Sequence, residues 1–156
     1  MWFARDIKSK ILTRLADNTN GLSALITTVN SERTETTALP FRVNAEKDEG
    51  QYPAVFVDLG DSIIGNAIGT EYNEMAENFN LEITALLMGS EITKLKNDCE
   101  NYIEAILRCL EGYKEQDNYG SYICEANTIQ RADIDTIQDQ TKRVVTVVFT
   151  IYSNQL

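Results

Sequence analysis

The chain has 156 residues and no histidine, and its 24 acidic side chains outnumber 14 basic ones to give a formal charge of −10. That length suits a single α+β domain that can bury a core without metals or disulfides. The missing histidine excludes Ser-His-Asp and Cys-His catalysis, His-ligated zinc and the usual proton shuttle at neutral pH.

The charge is unevenly placed. Residues 1–45 carry 6 basic and 4 acidic groups, residues 46–82 carry 1 and 9, and residues 83–156 carry 7 and 11. So acidic a middle repels phosphates, which opposes wrapping of nucleic acid and docking on anionic lipid, and protein partners are expected instead. No apolar run approaches the roughly 20 residues that span a bilayer, and the N-terminus lacks the basic-then-apolar pattern of a signal peptide. Cytoplasmic residence is the expectation. Cys99, Cys109 and Cys124 are odd in number with no paired spacing, which predicts reduced thiols.

In chain order, Phe3, Ile7, Ile11, Leu12 and Leu15 predict an amphipathic helix over residues 2–16, ended by the cluster Asp17-Asn18-Thr19-Asn20-Gly21. Leu22, Leu25, Ile26 and Val29 fit a helical turn or an irregular strand equally well. The polar SERTETT of residues 31–37 reads as an exposed loop or hairpin arm, and a short strand is expected over residues 41–45. Tyr52-Pro53 then opens the β-forming run Ala54 to Leu59, with the proline where a strand begins or borders a sheet. Residues 60–77 hold Gly60, Gly65 and Gly69, then Glu71, Glu74 and Glu77, and predict a long acidic loop or an extended hairpin arm.

Phe79, Leu81, Ile83, Ala85 and Leu87 alternate with more polar neighbours, the period of a one-faced strand over residues 79–88. Residues 91–115 follow as the longest helix. Ile92, Leu95, Cys99, Ile103, Ile106, Leu110 and Tyr113 form its apolar stripe, opposite Lys94, Lys96, Asp98, Glu100, Glu104 and Arg108. Ser90 is the expected N-cap, Glu91 complements the helix dipole, and Gly112 with Lys114 marks the end. Residues 122–130 read as a strand and residues 131–141 as a polar connection. The final strand, residues 143–152, is apolar on both faces, which predicts a central position. A mixed or antiparallel sheet of four to five strands, packed on the first helix and the long one, completes the expected fold.

Several patterns suggest chemistry and then fail its requirements. Gly60 to Gly65 has the glycine spacing of a phosphate loop, but Asn66 and Ala67 stand where lysine and a hydroxyl are needed. Asp133, Asp135 and Asp139 resemble the start of a calcium loop that lacks its glycine and closing glutamate. The carboxylates of residues 71–77 have no Trp-lined groove beside them, since Trp2 is the one tryptophan. Cys99 and Cys109 lie roughly 80° apart around one helix and form no metal or redox pair. No enzymatic activity, catalytic residue, metal or cofactor is expected.

The order of elements, the Tyr52-Pro53-Ala54-Val55-Phe56-Val57 strand and the closing VVTVVFTIYSN resemble the tail terminator (tail-completion) proteins of long-tailed phages. The chain departs from the lambda-like pattern in a longer insert between its first helix and Pro53. The resemblance implies a structural virion protein of the tail, assembled in the host cytoplasm as a homo-oligomeric, hexameric ring. Such a ring ends tail-tube polymerisation and joins the tail to the head connector, with tail tube protein on one face and a connector or neck protein on the other. DNA would pass through without specific binding, and Asp61, Glu71, Glu74 and Glu77 would face the lumen or a neighbouring subunit. Another head-tail joining ring, of neck or head-closure type, and a cellular protein-binding module are the alternatives.

Overall fold

A computed structural model describes residues 4–47, 50–66, 75–111, 113–116, 122–125, 129–136 and 141–155. Its elements run α1 (Ala4–Ala16), α2 (Leu22–Arg33), β1 (Arg42–Asn44), β2 (Ala54–Asn66), β3 (Met75–Met88), α3 (Ile92–Leu110), β4 (Lys114–Gln116), β5 (Tyr122–Glu125), β6 (Ile129–Thr136) and β7 (Lys142–Gln155). The α+β class and the mixed five-stranded sheet agree with the sequence. A third helix, α2, is added.

In α1, Ile7, Ile11 and Leu15 are one turn apart and fully buried. The helix stops at Ala16 because the Asp17 carboxylate accepts the N–H groups of Thr19 at 2.8 Å and Asn20 at 2.7 Å, a local turn that competes with helix. Those two bonds hold the Asp17 carboxyl below its ordinary range. Gly21 closes the turn so tightly that a Cβ there would lie 2.2 Å from the Asp17 carbonyl. The chain then re-enters a helix rather than a strand. Leu22, Ile26 and Val29 are buried at helical steps, and α2 runs on to Arg33 through residues expected to be loop. Its stripe was ambiguous because three residues suffice to face another helix.

Helix α3 buries Leu95, Cys99, Tyr102, Ala105, Ile106, Cys109 and Leu110, whereas Ile92 is 40% exposed and Ile103 only partly covered. Its buried face is therefore rotated from the expected stripe. The cause is that α3 packs on β3 and β7 along one side and on α2 along the other. Glu91, not Ser90, is the N-cap: its carbonyl accepts the Leu95 N–H at 2.9 Å without a side-chain cap. Gly112 lies outside the described residues, Glu111 is the C-cap in extended conformation, and Lys114 begins β4 instead of ending the helix.

The sheet order is β1-β2-β3-β7-β6, with β1 parallel to β2 and every other pair antiparallel. Side-chain rows cross it in register. Val55–Ala85–Val145, Val57–Ile83–Val147 and Leu59–Leu81–Phe149 face the helices, and Ala54–Leu86–Val144, Phe56–Thr84–Thr146 and Asp58–Glu82–Val148 face away. β7 is interior, as its two-sided apolar pattern predicted. The region expected as one strand, residues 122–130, is divided: β5 pairs with β4 in a separate ribbon, and β6 occupies most of what was expected as polar connection. Alternation of Asp133 and Asp135 with Ala132 and Ile134 suits an edge strand, whose outer side tolerates charge.

Residues 60–66 and 75–77 form hairpin arms rather than loop, with a register shift between Leu59 and Ser62 at Gly60. The 14 residues of β3 span roughly 46 Å at 3.3 Å each. The 19 residues of α3 span roughly 28 Å. The sheet thus outruns its longest helix.

Leu110 and Phe149 are fully buried where α3 meets the sheet. Leu110→Ala or Phe149→Ala should each cost about 2–5 kcal/mol in a denaturant titration, as large-to-small core changes do. A loss below about 0.5 kcal/mol at both positions would place the core elsewhere.

Candidate assembly surfaces

Between α2 and β1 the chain follows α3 in an irregular path, and polar groups fix that path. Thr34 turns out of α2 in a left-handed conformation, φ 55°. Asn101, fully buried on α3, donates to Glu35 Oε2 at 2.9 Å and Thr37 Oγ1 at 2.8 Å and accepts from Arg33 Nη1 at 2.7 Å. Thr37 Oγ1 donates in turn to Asp98 at 2.7 Å, and its backbone N–H and C=O are both held by the Asn30 amide at 2.9 Å. The Tyr102 hydroxyl donates to the Ala38 carbonyl at 2.8 Å, and burial pushes that phenol's pKa up. Every member of this set that is buried has a partner, which gives the segment one preferred position along α3. Sequence reading missed Asn101, which stands two residues from both Cys99 and Ile103 and so on the far side of the expected stripe, where nothing in the sequence marks a buried amide.

The clamp delivers Leu39 and Phe41 to one end of the sheet. The Phe41 N–H donates to the Pro53 carbonyl at 2.7 Å, just before β1 and β2 pair. Met88 closes β3 and Ile92 opens α3 at the same end. All four are exposed large apolar residues, at 46%, 64%, 55% and 40%. They make this end of the sheet an apolar rim and a candidate contact surface.

A second feature lies where β1 stops. A cavity of about 450 Å³ opens there, with Lys8, Glu46, Lys47, Val57, Asp58 and Glu82 among its lining. Among the described residues no helix covers the outer sheet face above it, and Phe56 and Leu86 are shielded there by Tyr52 and Val144.

Of the four acidic residues singled out in the sequence, two belong to described strands. Asp61 lies at the irregularity of β2 and Glu77 pairs with Ile64 in the far half of the hairpin, while Glu71 and Glu74 fall outside the described residues. The acidic exterior also has ordered pairing: Arg108 of α3 donates to Glu104 at 2.9 Å and to both carboxylate oxygens of Glu32 on α2, which lowers the Glu32 pKa and raises that of Arg108. Cys99 and Cys109 are fully buried, and burial pushes both thiols up to about 11, so neither is a thiolate at neutral pH.

This fold has a counterpart in a virion. A chain in the solved structure "Virion of native gene transfer agent (GTA) particle" is similar over 92% of this chain and 90% of that one, with a TM-score of 0.51 and 16% sequence identity. The likeness is one of fold. No family model matches the chain, and no curated protein matches it.

Asn101→Ala should destabilise the protein by about 1–3 kcal/mol, because Arg33, Glu35 and Thr37 lose a buried partner together. Hydrogen exchange should show the loss concentrated in residues 34–41. Unchanged stability and unchanged exchange there would mean that the clamp is dispensable.

Proposed function

We propose that this protein is a structural virion component of the tail-terminator type, a homo-oligomeric ring that ends tail-tube polymerisation and joins the tail to the head connector. The observation that carries the reading is the end-to-end likeness of its fold to a chain of the gene transfer agent virion. Three features of this chain support it. The element order and the closing VVTVVFTIYSN resemble those of tail terminators. An apolar rim of Leu39, Phe41, Met88 and Ile92 stands at one end of the sheet, fit for burial against a virion neighbour. The sheet extends beyond the helix layer into an acidic hairpin, and a wall of that charge would let DNA pass without retaining it. The reading needs no catalytic group. A neck or head-closure ring of the same fold would differ in the partner it binds, tail tube or connector alone.

Mass measurement and negative-stain imaging with the cognate tail tubes test it together. A ring-sized species that caps one tube end and stops tube growth is expected. A monomer at every concentration would overturn the ring, and a ring that ignores tubes but binds the connector would favour the neck reading. The acidic hairpin has its own test. Glu71, Glu74 and Glu77 replaced together by Lys should leave rings and caps intact but slow DNA ejection or reduce infectivity. Parental ejection would leave the acidity a role in solubility alone.

A further inference from the structure

The two edges of the main sheet differ in a way that bears on how copies meet. β1 covers β2 only from Ala54 to Phe56, although β2 continues to Asn66. Backbone polar groups alternate sides along a strand, and the Pro53 carbonyl points toward Phe41 on the β1 side. The N–H and C=O groups of Val57 and Leu59 therefore point the same way, where no strand pairs with them among the described residues. The 450 Å³ cavity opens on this side of β2 and continues over the outer sheet face, lined by Lys8, Glu46 and Lys47 and by Phe56, Asp58 and Glu82. At the other edge lies β6, Ile129–Thr136, which pairs with β7 alone among the described residues. The open stretch of β2, residues 57–66, is long enough for all eight residues of β6.

α1 packs over β1 and β2, and its Lys8 lines the cavity together with Lys47, Glu46, Asp58 and Glu82. A closed ring needs a heterologous contact, one edge of a copy against the other edge of the next, rather than contact of like edges. Asp58 on the β2 edge and Arg131 on β6 are charges of the kind that keep edges from pairing indiscriminately.

We propose that neighbouring copies join edge to edge, with β6 of one copy added as a strand to the open stretch of β2, from Val57 onward, in the next. The sheet then continues from subunit to subunit, and backbone hydrogen bonds supply the contact. This rests on the ring reading above. Two measurements on the full-length protein test it. Amides of residues 57–66 and 129–136 should exchange at least about tenfold more slowly in the ring than in monomer obtained by dilution. In a Cys124→Ser background, Asp58→Cys combined with Asp133→Cys or Asp135→Cys should give a covalent ladder under oxidation, and each single variant none. The cross-link reads the same contact in a ring that does not dissociate. A ring whose edge amides exchange as in monomer and whose cysteine pairs do not cross-link would overturn the edge pairing and leave the ring reading standing. A covalent dimer from a single variant would mean a two-fold contact and overturn the proposal. Monomer at all concentrations would overturn both.

Discussion

Helix α3 must satisfy two partners at once, and most of the structure follows from that. One side needs an apolar surface to complete the β3 and β7 core, and the other needs to receive α2 and the irregular chain after it. Tyr102 serves both, since its ring is fully buried and its hydroxyl bonds Ala38. Asn101 beside it is a polar residue in a place where water cannot reach, and it is tolerated because its amide donates twice and its carbonyl accepts once. Such a set is sensitive to geometry: it fixes residues 34–38 at one position along the helix, which a purely apolar seam would leave free to slide.

That anchoring sets where β1 begins and therefore how little of β2 it can cover. Three residues of β1 pair, and then the chain leaves through Ala45, Glu46 and Lys47. The consequence is a sheet whose first edge is closed near the apolar rim and open farther along. Leu39 and Phe41 are exposed for the same reason, being the residues that bridge the clamp and the first strand. An apolar rim and a strand edge left unpaired among the described residues are thus two outcomes of one local arrangement.

The charge pattern is compatible with this division. The Glu32–Arg108–Glu104 set uses up charges on the helical exterior, while the β2–β3 hairpin carries carboxylates with few cations nearby in sequence. Exposed ion pairs contribute little to stability in water. Unpaired charge acts over longer range instead, and the carboxylates of the hairpin repel anions.

Periodicity in the sequence was enough to determine α1, the long helix, the strands around residues 54–59, 79–88 and 143–152, and the interior place of the last strand, because these segments bury one continuous stripe or both faces. Composition also determined that the middle of the chain is acidic. Tertiary structure decided the rest. Whether Leu22 to Val29 became helix or strand depended on α3 lying beside it, since three apolar residues fit either period. The rotation of the α3 face, which turned Ile92 outward and Asn101 inward, came from its second partner, and no pattern within residues 91–115 encodes a second partner. The split of residues 122–130 and the strand at Ile129–Thr136 came from pairing with β7, because an edge strand with carboxylates on alternate positions looks like loop until its neighbour is known.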